Sequence, residues 1–446
     1  MREKIVYIMM FLFLTTVYSA NVYAVKDPAI KYTRIGSEAA GNKSGEITAF
    51  EGDVGLVVPA KYKKGQWLPN PYKDEKMLFR IDYTNVDKYS DRLTAGQVTR
   101  LKKNKKSYMD IYPTHRNTVF PEAFYKATEK NLATCRLDDK KRLLGWNGGT
   151  PFPYPDDVYQ MVWNIKRQYF ADDMIGVDEV RRVVSPSGKI KKSIWTTEVM
   201  YFDGRLTGKV PNPDGASYKI RALYTYPADT AGTALLSIVY MDDQRQDDAW
   251  LYIPTLRRVR RAPSMTKGGQ IDGESTFDEL GYGFRGQIND WDWKFLGKKE
   301  IYIPENCYDM YKVGAKDEDE CWPGDINPEG TRWELRRVWV VEGTIMPGIS
   351  HPYSRRVEYL DEDTWYPTMG DRYDRRGNLW RMYAFYSYYD YYQKQRGVTM
   401  HIYMNLESGR YELKGGGRTK DMKIGISNTG LTPEEFTVQN LRRAGR

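Results

Sequence analysis

The chain of 446 residues carries 68 Lys and Arg against 59 Asp and Glu, a formal charge of +9, with 41% hydrophobic and 14% aromatic residues, among them 36 tyrosines. That aromatic content beside 28% charged residues excludes a disordered chain and describes a large, folded, β-rich protein with abundant polar surface. Beyond the N-terminus no apolar run approaches the ~20 residues of a spanning helix, so an integral membrane protein of the helical kind is not expected.

Residues 1–24 combine Arg2 and Lys4, the run IVYIMMFLFLTTV and the small-x-small pattern Val22-Tyr23-Ala24, the features of a secretory signal peptide cleaved before Val25. The cleavage point lacks a cysteine, so a lipid anchor is not indicated. A soluble product of an oxidising, extracytoplasmic compartment is expected. Loss of Arg2, Glu3 and Lys4 takes the charge from +9 to +8. For an exported protein such a charge points to anionic lipid head groups, acidic glycans or a partner protein, and less to nucleic acid.

Residues 31–52 (KYTRIGSEAAGNKSGEITAFEG) have no sustained period and read as an extended arm packed on the body. The stretch 90–103 predicts a short helix with Ser90 as its cap, and a second helix begins at Pro121, a favoured first-turn residue. On that second helix Phe124, Thr128, Leu132 and Cys135 share a face, which makes Cys135 a buried free thiol. The Gly/Pro cluster of residues 145–157 marks a boundary. Residues 25–145 form an arm and helical region packed on a sheet, and 146–446 form the sheet itself.

Beyond the boundary, strands with β-branched or aromatic alternation are expected at 194–204, 218–227, 234–243, 249–254, 291–304, 333–343, 355–365, 371–386 and 400–412. Short turns at 361–364, 374–378 and 407–410 join neighbours as antiparallel hairpins, hence a meander. One helical interruption is expected, over 273–286. A large antiparallel sheet with few covering helices leaves an apolar concavity for side chains or a ligand to fill. Its strand DDAWLYIPTLRRVRRAP (residues 247–263) begins aromatic and ends basic, as suits a surface meeting something apolar at one end and anionic at the other. Candidates for the cavity wall are Trp250, Tyr252, Trp291, Trp293, Trp333 and Trp339; candidates for a head-group or partner contact are Arg257, Arg258, Arg260 and Arg261. Cys307 and Cys321 flank a polar loop that a disulfide would close, a gain of ~3 kcal/mol in the chain-entropy model.

Catalytic signatures are missing. The three histidines, His115, His351 and His401, stand apart from one another and from any cysteine at metal-ligand spacing, and no G-x-S-x-G elbow, phosphate loop or dinucleotide fingerprint occurs. Asp278 and Glu279, adjacent acids on the expected helix, read as a solvated edge or lid hinge better than as an acid pair. No enzyme activity, cofactor or metal is expected.

The ordered segments AGNKSGEI (40–47), YPTHR (112–116), GGTPFPYP (148–155), WLYIPTLRRVRRAP (250–263), DWKFLGKKEIYIP (292–304), ELRRVWVVEGT (334–344) and YLDEDTW (359–365) resemble the domain of unknown function 1329 family. That resemblance implies a fold related to the outer-membrane lipoprotein-sorting (LolA/LolB-like) carriers: mainly β (α+β), a large curved antiparallel half-barrel with a few covering helices around an apolar cavity for acyl chains. GESTFDEL (273–280) resembles the lid region of the wider group, with Phe277 and Leu280 as lid residues. The family often has an arginine where His115 stands. The reading is a periplasmic carrier of a lipid or other hydrophobic molecule, possible partners being an envelope exporter, an outer-membrane protein and the membrane surface. The alternative is an accessory subunit that docks on a resistance-nodulation-division-type (RND) transporter or outer-membrane protein and carries nothing.

Overall fold

The computed structural model describes residues 26–262, 268–270, 273–279, 283–310, 315–416 and 425–444. The expected signal segment and Leu280 lie outside the described residues. The N-terminal region carries β1 (Phe79–Asp82), α1 (Ala95–Lys103), β2 (Tyr108–Ile111), α2 (Glu122–Thr134), a small hairpin of β3 (Arg136–Leu137) and β4 (Leu143–Leu144), and α3 (Val158–Lys166). The single helix expected over 90–103 is instead a 3₁₀ turn, Val86–Arg92, followed by α1. The cap is Thr94, not Ser90: its hydroxyl accepts from the Gln97 amide at 3.1 Å while the Gln97 side chain accepts from the Thr94 amide at 2.7 Å, a closed capping box. On α2 the buried face is Phe124, Thr128 and Asn131; Leu132 is 60% exposed and Cys135 ends the helix half-buried. The Asn131 amide explains the shift, because it donates to the carbonyls of Gly148 and Thr150 at 2.7 and 2.9 Å and turns that face toward the Gly/Pro loop.

The remaining strands are β5 (Asp173–Val184), β6 (Ile190–Tyr201), β7 (Ala216–Tyr226), β8 (Ala234–Tyr240), β9 (Asp248–Ile253), β10 (Arg258–Arg261), β11 (Trp291–Pro304), the pair β12 (Cys321–Trp322) and β13 (Asp325–Ile326), β14 (Trp333–Ile345), β15 (Arg355–Asp361), β16 (Pro367–Tyr373), β17 (Leu379–Asp390), β18 (Gln395–Asn405), β19 (Tyr411–Gly415) and β20 (Ile426–Ser427). One large sheet runs β1-β2-β14-β15-β16-β17-β18-β19-β5-β6-β7-β8-β9-β10, with β11 branching from β14 and β20 from β5. It does not close on itself. Every pairing is antiparallel except a parallel contact of β2 with β14, so the expected meander is present and β5, which has an irregular pattern, joins its two halves. The irregularity is a bulge after Gly176, where Asp178 takes a left-handed φ of 51°.

Three cores fix the sheet. Leu101 of α1 packs with Val338, Val340, Ile402 and Leu413 on one side. On the other, Phe124 and the α3 residues Met161, Val162 and Trp163 pack with Trp291, Trp293, Trp339 and Trp365. A third core lies under α5 (Val438–Ala444), where Leu441 meets Leu236, Ile238 and Tyr252.

Two further expectations fail for clear reasons. The described parts of 273–286 are turns rather than a helix: the Thr276 amide and hydroxyl bond to the Glu279 carboxylate at 2.9 and 2.8 Å within one turn, and the Asp278 and Glu279 side chains are drawn to Arg356 and Arg372 instead of to one helix face. All three cysteines are free thiols, so the expected Cys307–Cys321 bridge is absent. The Cys307 thiol lies against the carbonyls of Arg332 and Glu305 at 3.3 and 3.6 Å, whereas Cys321 sits in the β12–β13 hairpin beside Arg182 and Tyr411.

Candidate functional site

Sheet alternation sends one set of side chains from β5–β9 to a common face, and the cross-strand register stacks them in rows. One row is Met174, Val199, Ile220, Ser237 and Ala249; a second is Gly176, Thr197, Ala222 and Leu235; a third is Tyr201, Tyr218 and Val239. These rows, with Val398, Thr399 and His401 of β18, Glu412 and Lys414 of β19, Ile349–His351 and parts of 268–290, enclose a cavity of about 730 Å³. That volume lies in the range of small-ligand sites, roughly 300–1,000 Å³. The opposite face of the same strands is the one that α5 covers.

The wall across from the sheet is a strap, residues 273–279, within the expected lid region. Phe277 lines the cavity, and its amide donates to Gly269 at 3.0 Å. The acids around it are buried and held from beneath, not solvated. Asp278 accepts from Arg356 of β15 at 2.5 Å, Glu279 from Arg372 of β16 at 2.6 Å, and Glu274 pairs with Arg381 of β17 at 3.0 Å and Arg410 at 2.9 Å. Glu358 ties Arg356 to Arg372 at 2.8 and 2.9 Å. At the other end Glu412 accepts from the amides of Glu274 and Ser275 at 2.9 and 3.0 Å and from Arg181 at 2.8 Å. Although burial opposes charge on Asp278, the Arg356 guanidinium and His351 hold its carboxyl below the usual range, and Arg372 does the same for Glu279.

Inside the cavity the charges are mostly matched. Arg181 and Lys414 flank Glu412, with Lys414 at 3.3 Å; burial lowers the Lys414 ammonium. Glu179 accepts from the Trp195 indole at 2.9 Å and from the Thr197 hydroxyl. His401, beside Lys414, is pushed down to about 3 by burial and is neutral at physiological pH. Of the His351 ring, Nδ1 accepts from the Tyr353 amide at 3.1 Å and Nε2 faces Asp278 at 3.4 Å. Among the described residues no cluster of His, Cys, Asp and Glu could hold a metal.

The structure brings Phe277 to the cavity but not the six expected wall aromatics. Trp250 and Tyr252 follow Ala249 with opposite parity and belong to the core under α5; Trp291, Trp293 and Trp339 fill the core beside α3, and Trp333 the core beside α1. The wall aromatics are instead Trp195, Tyr201, Tyr218 and Tyr224 of β6 and β7, separated by rows of smaller side chains such as Val199, Ile220, Ala222 and Ser237. Arg257, Arg258, Arg260 and Arg261 lie on or beside the edge strand β10 and are exposed, outside the cavity lining. Register separates them: Arg260 opposes Leu251 and Arg258 opposes Ile253, on the Ala249 side, whereas Arg261 turns to the other face and pairs with Asp248. Sequence reasoning missed Arg181, Lys414, Arg285 and Glu412, which do line the space. The signal that could have found them is a charged residue in an otherwise alternating strand, as in EVRRVV and YELKG.

The model of a family described as protein of unknown function, DUF1329, matches residues 80–442. The chain belongs to this family. An uncharacterized Pseudomonas aeruginosa protein, PA3922, is 33% identical over 426 residues, covering 93% of this chain and 91% of that one. A solved DUF1329 family protein from Desulfovibrio piger is 18% identical over 64% of this chain and 97% of its own, with a TM-score of 0.45. An outer membrane lipoprotein-sorting protein domain from Vibrio parahaemolyticus gives 20% identity, the same coverage and 0.45. The DUF1329 segments that carried the resemblance hold the architecture. Arg116 of YPTHR pairs with Asp363 of YLDEDTW at 2.6 Å, and Arg336 of ELRRVWVVEGT reaches Asp361 and Asp363 at 3.3 and 3.2 Å, all of them buried.

Proposed function

We propose that this protein is a periplasmic carrier that holds a lipid or other hydrophobic molecule in the cavity between the β5–β9 face and the 273–279 strap, and that it serves an envelope exporter or outer-membrane protein. The observation that carries this reading is the cavity itself, about 730 Å³ lined by aliphatic and aromatic rows in the body of a folded domain. The N-terminal signal pattern supports the compartment, and no helix among the described residues is long and apolar enough to cross a membrane. The physical motive is solubility. Moving an acyl chain of ~16 carbons into water costs on the order of 12 kcal/mol at ~0.8 per methylene, so transit across an aqueous space needs a shield.

The test is native mass spectrometry of protein purified without detergent, followed by organic extraction. A co-purifying amphiphile is expected in the wild type. In Ala222→Trp, where an indole added to the middle of the second row fills the void, that amphiphile should fall by about tenfold while the thermal transition stays cooperative. A wild-type protein that repeatedly yields no amphiphile, with an Ala222→Trp variant unchanged in every binding assay, would favour the docking subunit that carries nothing.

A further inference from the structure

The main cavity adjoins a second chamber of about 60 Å³, and Tyr201, Tyr218, Val239, Asp247 and Arg285 line both. Arg285 returns the chain from the strap: its amide donates to the Asp278 carbonyl at 2.7 Å, which fixes the backbone from which its side chain projects. The guanidinium lies over the Tyr218 ring at 4.5 Å, close enough to the hydroxyls of both Tyr201 and Tyr218 for their oxygens to favour its charge. Those tyrosines are cross-strand partners on β6 and β7, with ring centroids 5.8 Å apart. Burial raises both phenols, so at neutral pH each keeps its proton. A phenol beside a guanidinium keeps an O–H to donate, and the carboxylates that act on the two hydroxyls, Asp203 on Tyr201 and Asp247 on Tyr218, do so through charge. A guanidinium and two hydroxyl donors thus converge at one end of an apolar space, the arrangement that rewards an anionic oxygen with charge-assisted hydrogen bonds. At the opposite end the cations Arg181 and Lys414 are already committed to Glu412.

We infer that the junction of Tyr201, Tyr218 and Arg285 is a head-group subsite that takes the carboxylate or phosphate of a single-chain anionic amphiphile, the chain lying along the Val199–Ile220–Ala249 row. This inference rests on the carrier reading and adds the ligand's charge and orientation. Asp247 also borders the junction and is the group a cationic head would meet instead. The Tyr201 and Tyr218 donors distinguish the site from a uniformly greasy pocket, which would accept any chain of fitting length.

The experiment compares four probes of one chain length, hexadecanoate, hexadecyl phosphate, hexadecanol and hexadecyltrimethylammonium, below their micellar concentrations, on wild type and on Tyr201→Phe/Tyr218→Phe. The double variant keeps the rings and removes only the hydroxyls, and Arg285→Met is the second variant. Wild type should bind at least one of the two anions about tenfold tighter than the alcohol, and the double variant should lose most of that preference with hexadecanol affinity unchanged. Whichever anion binds more tightly identifies the head group. Equal affinity for anions and alcohol in wild type overturns the subsite and leaves the carrier standing; so does preference for the cation, which would give the junction to Asp247. Failure of all four probes to bind overturns both.

Discussion

Asp371 is a carboxyl that the fold prefers uncharged. It is buried between β16 and α1, accepting from the Gly96 amide and the Tyr359 hydroxyl at 3.1 Å each, and burial outweighs those bonds to push it up to about 6. An unfolded aspartate titrates near ~3.9, so between these values the folded chain binds the extra proton. Its contribution to stability is therefore fully present below about pH 4 and is lost as pH rises through 6, a span of about 3 kcal/mol at most. In Asp371→Asn the acceptor for Gly96 remains and the titration is gone. Urea melts at pH 4, 5, 6 and 7 should show the variant gaining on wild type as pH rises; a difference that stays flat would refute the assignment. Nothing in the strand pattern PTMGDRY marks this acid as buried, since its burial depends on α1 arriving from more than 270 residues away. The aromatic wall failed for a related reason. Trp291, Trp293 and Trp339, expected on the cavity wall, lie in the core beside α3, because burial in a core and exposure to a cavity follow the same alternation and only the partner element decides between them.

At the scale of the element, the strap is where sequence and structure diverge most and where the chemistry is densest. Strands were legible because each buries a face against neighbours with its own period; β11 runs over the residues expected of it, 291–304, and even its bulge at Gly297, with φ of 103°, is marked by the glycine. The strap has no period. Its conformation is set by arginines on three separate strands, so its acids read as a helix edge until those strands are in place. The carboxylates of Asp278 and Glu358 both depend on Arg356, which is fully buried. Removing one member of such a set leaves uncompensated charge in the interior, a cost of roughly 3–5 kcal/mol. Arg356→Met should therefore lower the denaturant midpoint steeply. Adding Asp278→Leu should restore part of the loss, because one of the stranded acids is then gone. Additive losses in the double variant would show that the pair does not couple and that the strap is fastened elsewhere.

For the whole molecule, the decisive fact is that the sheet is open. Among the described residues its last strand, β10, is paired only with β9, and exposed arginines on such an edge have two physical uses: they blunt a template for strand-to-strand aggregation, and they attract an anionic surface. Arg258 and Arg260 project from that edge on the same side as Ala249 and are exposed, within reach of an anionic surface. Reversing their sign separates the two uses. Glutamates at both positions still keep the edge charged and solvated, so solubility and the thermal midpoint should hold within about 0.5 kcal/mol of wild type. The contribution of this edge to binding vesicles rich in anionic lipid would be lost, and the residual binding should weaken less with salt than that of the wild type, since exposed charges are screened within ~8–10 Å at physiological ionic strength. Arg258→Glu/Arg260→Glu should thus sediment with anionic vesicles several-fold less than wild type at low salt and equally at high salt. If the variant sediments like wild type at both salts, the arginines serve the edge alone, and the protein meets its membrane or its partner through another face.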